Sequence, residues 1–147
     1  MSATAPLRLL FVCRQNARRS QIAHGWLQAK AGDRVVVESA GLEQAGGLAP
    51  EAITVMAEWG IDLSLYTSTA LSAYRAEDFD VVISLCGCLE ELPPQWRQRP
   101  IAEEWAIADP HAGDLPSHRA ARDAIAAQVE TLLIRLEREQ WLPTDVA

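Results

Sequence analysis

The chain carries the stretch Cys13-Arg14-Gln15-Asn16-Ala17-Arg18-Arg19-Ser20 directly after a short apolar run at residues 7–12. A segment with helical periodicity follows, from about residue 20 to residue 30. A strand that leads through a tight loop into a helix N-terminus brings backbone N–H groups and the positive end of the helix dipole together. The stretch therefore predicts a binding site for an oxyanion at the start of an α/β fold.

The residue types in this loop add a reactive group to the predicted anion site. Cys13 stands at its start, and a thiol aimed at such a site is favoured as the nucleophilic thiolate. Arg19 offers a planar fork of donors that matches a tetrahedral dianion, and the Ser20 hydroxyl can donate to the thiolate. We expect a pocket for a phosphate-shaped substrate with a nucleophile at its floor, its substrate-binding residues being Arg14, Gln15, Asn16, Ala17, Arg18, Arg19 and Ser20.

The pattern of cysteine, five residues, arginine and serine resembles the phosphate-binding loop of the low-molecular-weight protein tyrosine phosphatases and of the arsenate reductases that share their fold. Asn16 strengthens the resemblance, since both groups have asparagine there, and asparagine tolerates the left-handed conformation of a tight loop. The family often has glycine where this chain has Gln15. The resemblance covers nearly the whole chain.

Composition and charge limit the other possibilities. The 147 residues are expected to form a single domain, residues 1–147, with 49% hydrophobic and 22% charged residues, as in ordinary globular proteins. A net charge of −7 argues against nucleic acid or an anionic membrane as the main partner. The start of the chain does not have the pattern of a signal peptide, and no apolar stretch is long enough for a membrane helix, so we expect a cytoplasmic protein.

The order of predicted elements indicates an α/β protein with a parallel sheet. Strands are predicted at residues 7–12, 35–37, 79–85 and 101–106, and helices at about 20–30, 50–60 and 117–140. Strands that alternate with helices form parallel sheets with right-handed crossovers. The family resemblance implies four strands in the order 2-1-3-4 with flanking helices. In such sheets ligands bind beyond the carboxyl ends of the strands, where Cys13, Cys86, Cys88 and Asp109 are all expected.

Asp109 and Pro110 follow the predicted fourth strand. Thiolate attack on phosphorus or arsenic expels an oxygen, which leaves more easily when it is protonated, and partial burial beside an anion would keep a proton on the aspartate. The resembled family has its general acid in such an Asp-Pro pair, so the acid role is expected for Asp109; a plain turn is the alternative. The tyrosine phosphatases usually continue this pair with tyrosine, whereas this chain has His111, which argues against phosphotyrosine.

Cys86-Gly87-Cys88 distinguishes a reductase from a hydrolase. Water completes a phosphatase reaction, whereas a reductase needs thiols that reach the first sulfur in turn. Gly87 lets the pair close on itself, although two small buried thiols at a strand end would be a structural alternative. The Cys-x-Cys spacing and the three histidines do not match a metal site. The histidines are expected at the surface or partly buried.

These observations predict an arsenate reductase with Cys13, Arg19, Asp109, Cys86 and Cys88 as its catalytic residues. No bound cofactor is expected. The resemblance to the Cys-x-Cys subgroup implies an external thiol reductant, glutathione with glutaredoxin in preference to thioredoxin. A phosphatase acting on phosphotyrosine or a small phosphate ester is the alternative function, and a thiol-based redox sensor is a third, though a sensor has no need of an acid such as Asp109.

Overall fold

A parallel sheet of four strands forms the centre of the computed structural model, which describes residues 5–43 and 46–142. The strands lie in the order β2-β1-β3-β4, and every pairing is parallel. Their bounds are β1 Leu7–Cys13, β2 Val35–Gly41, β3 Val81–Ser84 and β4 Ile101–Glu104. The predicted α/β fold with strand order 2-1-3-4 is confirmed.

Four α-helices connect and cover the strands within the described residues. They are α1 Arg19–Ala31, α2 Pro50–Ala57, α3 Pro94–Arg97 and α4 Leu115–Arg138. Four 3₁₀ turns complete the regular structure, at Gly32–Arg34, Leu71–Ala73, Ala76–Asp78 and Leu89–Glu91. None of the helices in this part of the chain is long and apolar enough to cross a membrane.

The long helix α4 begins two residues earlier than the sequence predicted. The carboxylate of Asp114 accepts a hydrogen bond from the backbone N–H of Ser117 at 2.9 Å, which caps the helix, and Pro116 occupies the first turn, where its missing N–H costs nothing. The predicted apolar stripe of α4 is buried throughout, at Ala121, Ile125, Val129, Leu132, Leu133 and Leu136.

The core has two layers because the strands are buried on both faces. On one face the side chains of Leu9, Phe11 and Ile83 pack against α1, α2 and α4. On the other, Leu10 and Val82 pack under the 3₁₀ turns and α3. Since both faces are covered, the carboxyl edge of the sheet is left as the place for a site.

The position of β1 determines where that site lies. β1 pairs with β2 on one side and with β3 on the other, so the chain reverses its direction of travel across the sheet at this strand. A crevice opens at such a switch point. The loop of residues 13–20 leaves β1 there and enters α1.

Candidate active site

The sulfur of Cys13 lies at the floor of the loop and is almost fully buried, with 4% of the residue exposed. Its Sγ is 2.9 Å from the Oγ of Ser20 in the first turn of α1. Asn16 Nδ2 donates to the same hydroxyl oxygen at 2.7 Å. The Ser20 oxygen accepts from Asn16, and its hydroxyl proton can be donated to the Cys13 sulfur.

Asn16 takes the left-handed conformation predicted for it, with φ of 55°. Its side-chain Oδ1 accepts from the Thr69 N–H at 2.9 Å, and its carbonyl accepts from Gln21 Nε2 and Ser68 Oγ, each at 3.0 Å. These bonds hold a conformation that most residues avoid. Gln15, which stands where the family often has glycine, keeps an ordinary φ and is exposed at the rim of the cavity.

The loop carbonyls turn away from the substrate side. Those of Cys13, Arg14 and Ala17 accept hydrogen bonds of 2.7–3.1 Å from the backbone N–H groups of Leu42, Glu43 and Ala49. In a planar trans peptide the C=O and the following N–H point in opposite directions. The N–H groups that follow these carbonyls, and the one after the Asn16 carbonyl, therefore face the cavity and form an anion-binding nest.

Gly41 makes this loop geometry possible. A Cβ at Gly41 would lie 2.7 Å from the Glu43 carbonyl oxygen, 2.8 Å from the Gln15 carbonyl carbon and 2.9 Å from the Asn16 nitrogen. All three are backbone atoms, so a side chain here would push the loop out of place. The sequence signal was the Ser-Ala-Gly end of β2, which by itself indicated only the end of a strand.

Arg19 is anchored through one nitrogen. Nη1 donates to the carbonyl oxygens of Leu85 at 2.8 Å, directly after β3, and of Ile107 at 2.9 Å, three residues beyond β4. Nη2 lies 3.4 Å from Oδ1 of Asp109. The anchoring of Nη1 leaves the Nε–Nη2 edge of the guanidinium as the pair of donors for an anion.

Asp109 reaches the same cavity on a segment five residues beyond β4. Its side chain is 74% exposed, so the predicted partial burial is wrong. The reason is that Pro110, and not Asp109, turns into the protein: Pro110 is buried while Asp109 stands at the cavity mouth.

The cavity has a volume of about 250 Å³ and collects most of the predicted substrate-binding residues. Its lining within the described residues is Cys13, Arg14, Gln15, Ala17, Arg18, Arg19 and Asp109. Arg14 lies at the rim, paired with both carboxylate oxygens of Glu91 at 2.9 and 3.0 Å. Asn16 and Ser20 lie behind this lining and act on it through Cys13. The lining contains three arginines and one carboxylate, that of Asp109, while Glu91 and Glu51 pair with Arg14 and Arg18 from outside the lining.

Cys86 and Cys88 form a disulfide in the turn that follows β3, while Cys13 is a free thiol. Their Cα atoms are 5.2 Å apart, and Gly87 between them has φ of 74°. The predicted role of glycine in letting the segment bend agrees with this conformation. Cys86 is partly exposed in a groove that Arg19 also lines, whereas Cys88 is fully buried.

The Cys86–Cys88 turn is held by Glu104, a residue for which the sequence analysis predicted no role. Its two carboxylate oxygens accept from the backbone N–H groups of Gly87 at 2.8 Å and Leu89 at 3.1 Å. Ser84 Oγ lies 3.2 Å from the sulfur of Cys88. These contacts join the redox pair to the ends of β3 and β4.

The histidines differ from one another more than the sequence suggested. His111 is exposed, and His24 is partly buried against Ser39. His118 is fully buried in the first turn of α4, so the prediction that it is exposed or only partly buried is wrong. In the part of the chain that the structure describes, no group of three or more His, Cys, Asp or Glu residues is placed to hold a metal ion.

A family model, described as low molecular weight phosphotyrosine protein phosphatase, matches residues 8–141. The chain belongs to this family. The resemblance drawn from the Cys13 loop is thereby confirmed, and the loop, Arg19 and Asp109 line one cavity in this structure.

Within the phosphatase family the chain is similar to proteins named as reductases. It is 40% identical to a glutaredoxin arsenate reductase from Synechocystis, over 88% of this chain and 98% of that protein. A solved structure of an arsenate reductase in the phosphate binding state has a TM-score of 0.82 and 40% identity, covering 88% of this chain and 98% of that one. An arginine phosphatase from Geobacillus stearothermophilus has a TM-score of 0.79 and 28% identity, over 92% and 96%.

Proposed function

We propose that the protein reduces arsenate to arsenite, with Cys13 as nucleophile and Cys86 and Cys88 as the thiols that supply two electrons. The observation that carries the proposal is the Cys86–Cys88 disulfide beside Arg19, together with a free Cys13 in the anion cavity. A hydrolase has no use for a second and third cysteine at this edge of the sheet.

In the first step the Cys13 thiolate attacks arsenic. An S–As bond forms, and one As–O bond breaks as hydroxide leaves with a proton from Asp109, giving water. The loop N–H groups and the Nε–Nη2 edge of Arg19 stabilise the charge on the remaining oxygens. Arsenic is still in the +5 state in this adduct. Asp109 is paired with Arg19 in the absence of substrate, and the arriving dianion takes its place on the guanidinium.

In the second step the Cys86 thiolate attacks the sulfur of Cys13. An S–S bond forms, the S–As bond breaks, and its electron pair remains on arsenic, which leaves as arsenite in the +3 state. The Cys88 thiolate then attacks Cys86, closing the Cys86–Cys88 disulfide and releasing Cys13. The exposure of Cys86 and the burial of Cys88 support this order, since the outer sulfur lines the groove next to Arg19.

The external reductant must return two electrons to the Cys86–Cys88 disulfide. Glutathione with glutaredoxin is the proposed source, supported by the name of the Synechocystis relative. Attack would fall on Cys86, because Cys88 is fully buried. Such a cycle needs a compartment in which thiols are kept reduced, so we expect the protein to work in the cytoplasm.

Hydrolysis of a phosphate ester is the second candidate, because Cys13, Arg19 and Asp109 are sufficient for it. The similarity to an arginine phosphatase supports this possibility. Recognition of phosphotyrosine is less well supported, because none of the described residues that line the cavity is aromatic. We therefore expect small activated phosphate esters to be slow substrates and arsenate to be the physiological one.

The decisive experiment measures arsenate-dependent NADPH oxidation, separately with glutathione–glutaredoxin and with thioredoxin as the electron source. We expect turnover with the glutaredoxin system and no turnover of Cys13→Ser in either. If the parent protein consumes no NADPH with arsenate in either system yet hydrolyses an aryl phosphate, the phosphatase function replaces the one proposed. Near-normal turnover of Cys13→Ser would refute the nucleophile.

A further inference from the structure

Arg18 lies beside Arg19 in the anion cavity but is held by a different set of contacts. Its Nε donates to Nε2 of His118 at 3.0 Å, and its Nη2 lies 3.7 Å from Oε1 of Glu51. A quarter of the Arg18 side chain is exposed, and Arg18 is one of the residues that line the cavity with Cys13. Two residues from helices remote in sequence therefore fix the guanidinium of a residue that lines the substrate site.

The contacts of His118 determine its tautomer. The Nε–H of an arginine is always a donor, so His118 Nε2 must accept and carries no proton. The proton then lies on Nδ1, which is 2.7 Å from the carbonyl oxygen of Asp114 and donates to it. The ring is fully buried, and both nitrogens are hydrogen-bonded. His118 thus connects Arg18 directly to the end of the segment that carries Asp109.

Glu51 makes a second connection of the same kind. Its Oε2 accepts from the backbone N–H of Gly113, while its Oε1 faces Arg18. The bond from Gly113 holds the pKa of Glu51 below its ordinary value, with a smaller contribution from the charge of Arg18. Glu51 is therefore a carboxylate that joins α2, the Asp109–Asp114 segment and the cavity.

We propose that His118 and Glu51 are positioning residues that hold Arg18 as a second guanidinium of the oxyanion site and couple it to the segment bearing Asp109. The inference deepens the proposed function and rests on the same cavity. A long arginine side chain loses rotamer entropy when it binds an anion, and fixing it beforehand removes that cost from the binding step. The coupling also links occupation of the anion site to the placement of the acid.

Two substitutions at His118 separate positioning from packing. His118→Gln puts an oxygen near the place of Nε2, which accepts from Arg18. His118→Asn puts an amide near the place of Nδ1, which keeps the bond to Asp114 but does not reach Arg18. We expect His118→Asn to weaken binding of inorganic phosphate about tenfold, measured by calorimetry, and His118→Gln to restore most of that loss.

Arg18→Gln completes a double-mutant cycle. It should weaken phosphate binding about tenfold by itself, and adding His118→Asn in that background should weaken it no further. His24→Gln is the matched control, because His24 is a partly buried histidine that does not line the cavity and whose pKa is lowered to about 4 by desolvation. That variant should bind phosphate like the parent.

Independent, additive effects of Arg18 and His118 would overturn the inference. Equal losses of phosphate affinity in His118→Gln and His118→Asn, accompanied by a lower Tm, would overturn it as well, since they indicate packing alone. Phosphate binding involves no thiol chemistry, so the positioning role can be tested independently of the proposed arsenate reduction. If the double-mutant cycle shows coupling between Arg18 and His118 but the protein does not turn over arsenate, the arsenate reductase function is refuted and the positioning role is supported.

Discussion

Arg19 donates a hydrogen bond of 2.8 Å from Nη1 to the carbonyl oxygen of Leu85, the residue immediately before Cys86. The guanidinium of Arg19 is thus hydrogen-bonded to the backbone beside the Cys86–Cys88 turn. Arg19 lines both the cavity and the groove in which Cys86 is exposed. In the proposed cycle the same side chain stabilises the anion and sets the place from which the second thiol approaches.

Arg19→Lys should therefore cost more than the loss of a bidentate contact. A lysine ammonium cannot hold the Leu85 and Ile107 carbonyls while also presenting two parallel donors to an anion. We expect kcat for both arsenate reduction and aryl phosphate hydrolysis to fall by ~10² or more. Arg75→Lys is the control, because the Arg75 side chain is exposed and paired with Glu77, and it should leave both kcat values unchanged. An unchanged rate in Arg19→Lys would remove this arginine from the site.

Asp109→Asn should slow attack by the Cys13 thiolate ~10²–10⁴-fold, the usual contribution of a general acid. The loss should be largest for phosphate esters with poor leaving groups and smallest for activated aryl esters, which need little protonation. Single-turnover rates across a leaving-group series measure this dependence. Equal losses across the series would show that Asp109 is not the acid.

Cys86→Ser and Cys88→Ser should each abolish multiple-turnover arsenate reduction while aryl phosphate hydrolysis continues. Cys88→Ser should accumulate a Cys13–Cys86 disulfide, detected by mass spectrometry of unreduced protein after arsenate treatment. Cys86→Ser should stall with arsenic on Cys13. If the double variant cycles with arsenate at the parent rate, the pair is structural and the phosphatase function is favoured.

Gly41→Ala should impair the site without touching any reacting group. The added methyl would meet three backbone atoms at 2.7–2.9 Å, so the Cys13 loop must shift. We expect at least a tenfold loss of aryl phosphate hydrolysis and a decrease of about 1–3 kcal/mol in the free energy of unfolding. Gly46→Ala is the matched control, because a Cβ there meets nothing within 4 Å. Equal activity of the two variants would contradict the steric role.

Glu58→Gln should change stability in a pH-dependent way. Hydrogen bonds from Arg119 and then Arg122 lower the pKa of Glu58 from an ordinary 4.5 to about 2. A depressed pKa stabilises the fold above the unfolded value and ceases to do so as pH falls through the folded value. Urea unfolding should therefore show the parent more stable than the variant at pH 7, with the difference shrinking between pH 4.5 and pH 2. A difference independent of pH would contradict this assignment.

The sequence by itself determined the fold class and the chemistry of the loop. Unbroken apolar runs such as residues 35–37 and 81–83 belong to strands buried on both faces, and their alternation with helical segments specifies a parallel sheet. The residues of the loop are contiguous in the chain, so Cys13, Asn16, Arg19 and Ser20 were readable as one unit. A site of this kind can be recognised from the sequence because its residues are neighbours both in the chain and in space.

Tertiary structure alone decided which distant groups complete the site. Arg18 contacts His118 and Glu51, and Glu104 holds the Cys86–Cys88 turn, through contacts that span 15 to 100 residues of chain. The exposure of Asp109 and the burial of His118 also depended on how the segment before α4 folds over α2. The residue patterns of α2 and of the segment before α4 do not predict this contact, because it depends on how three helices pack on one face of the sheet.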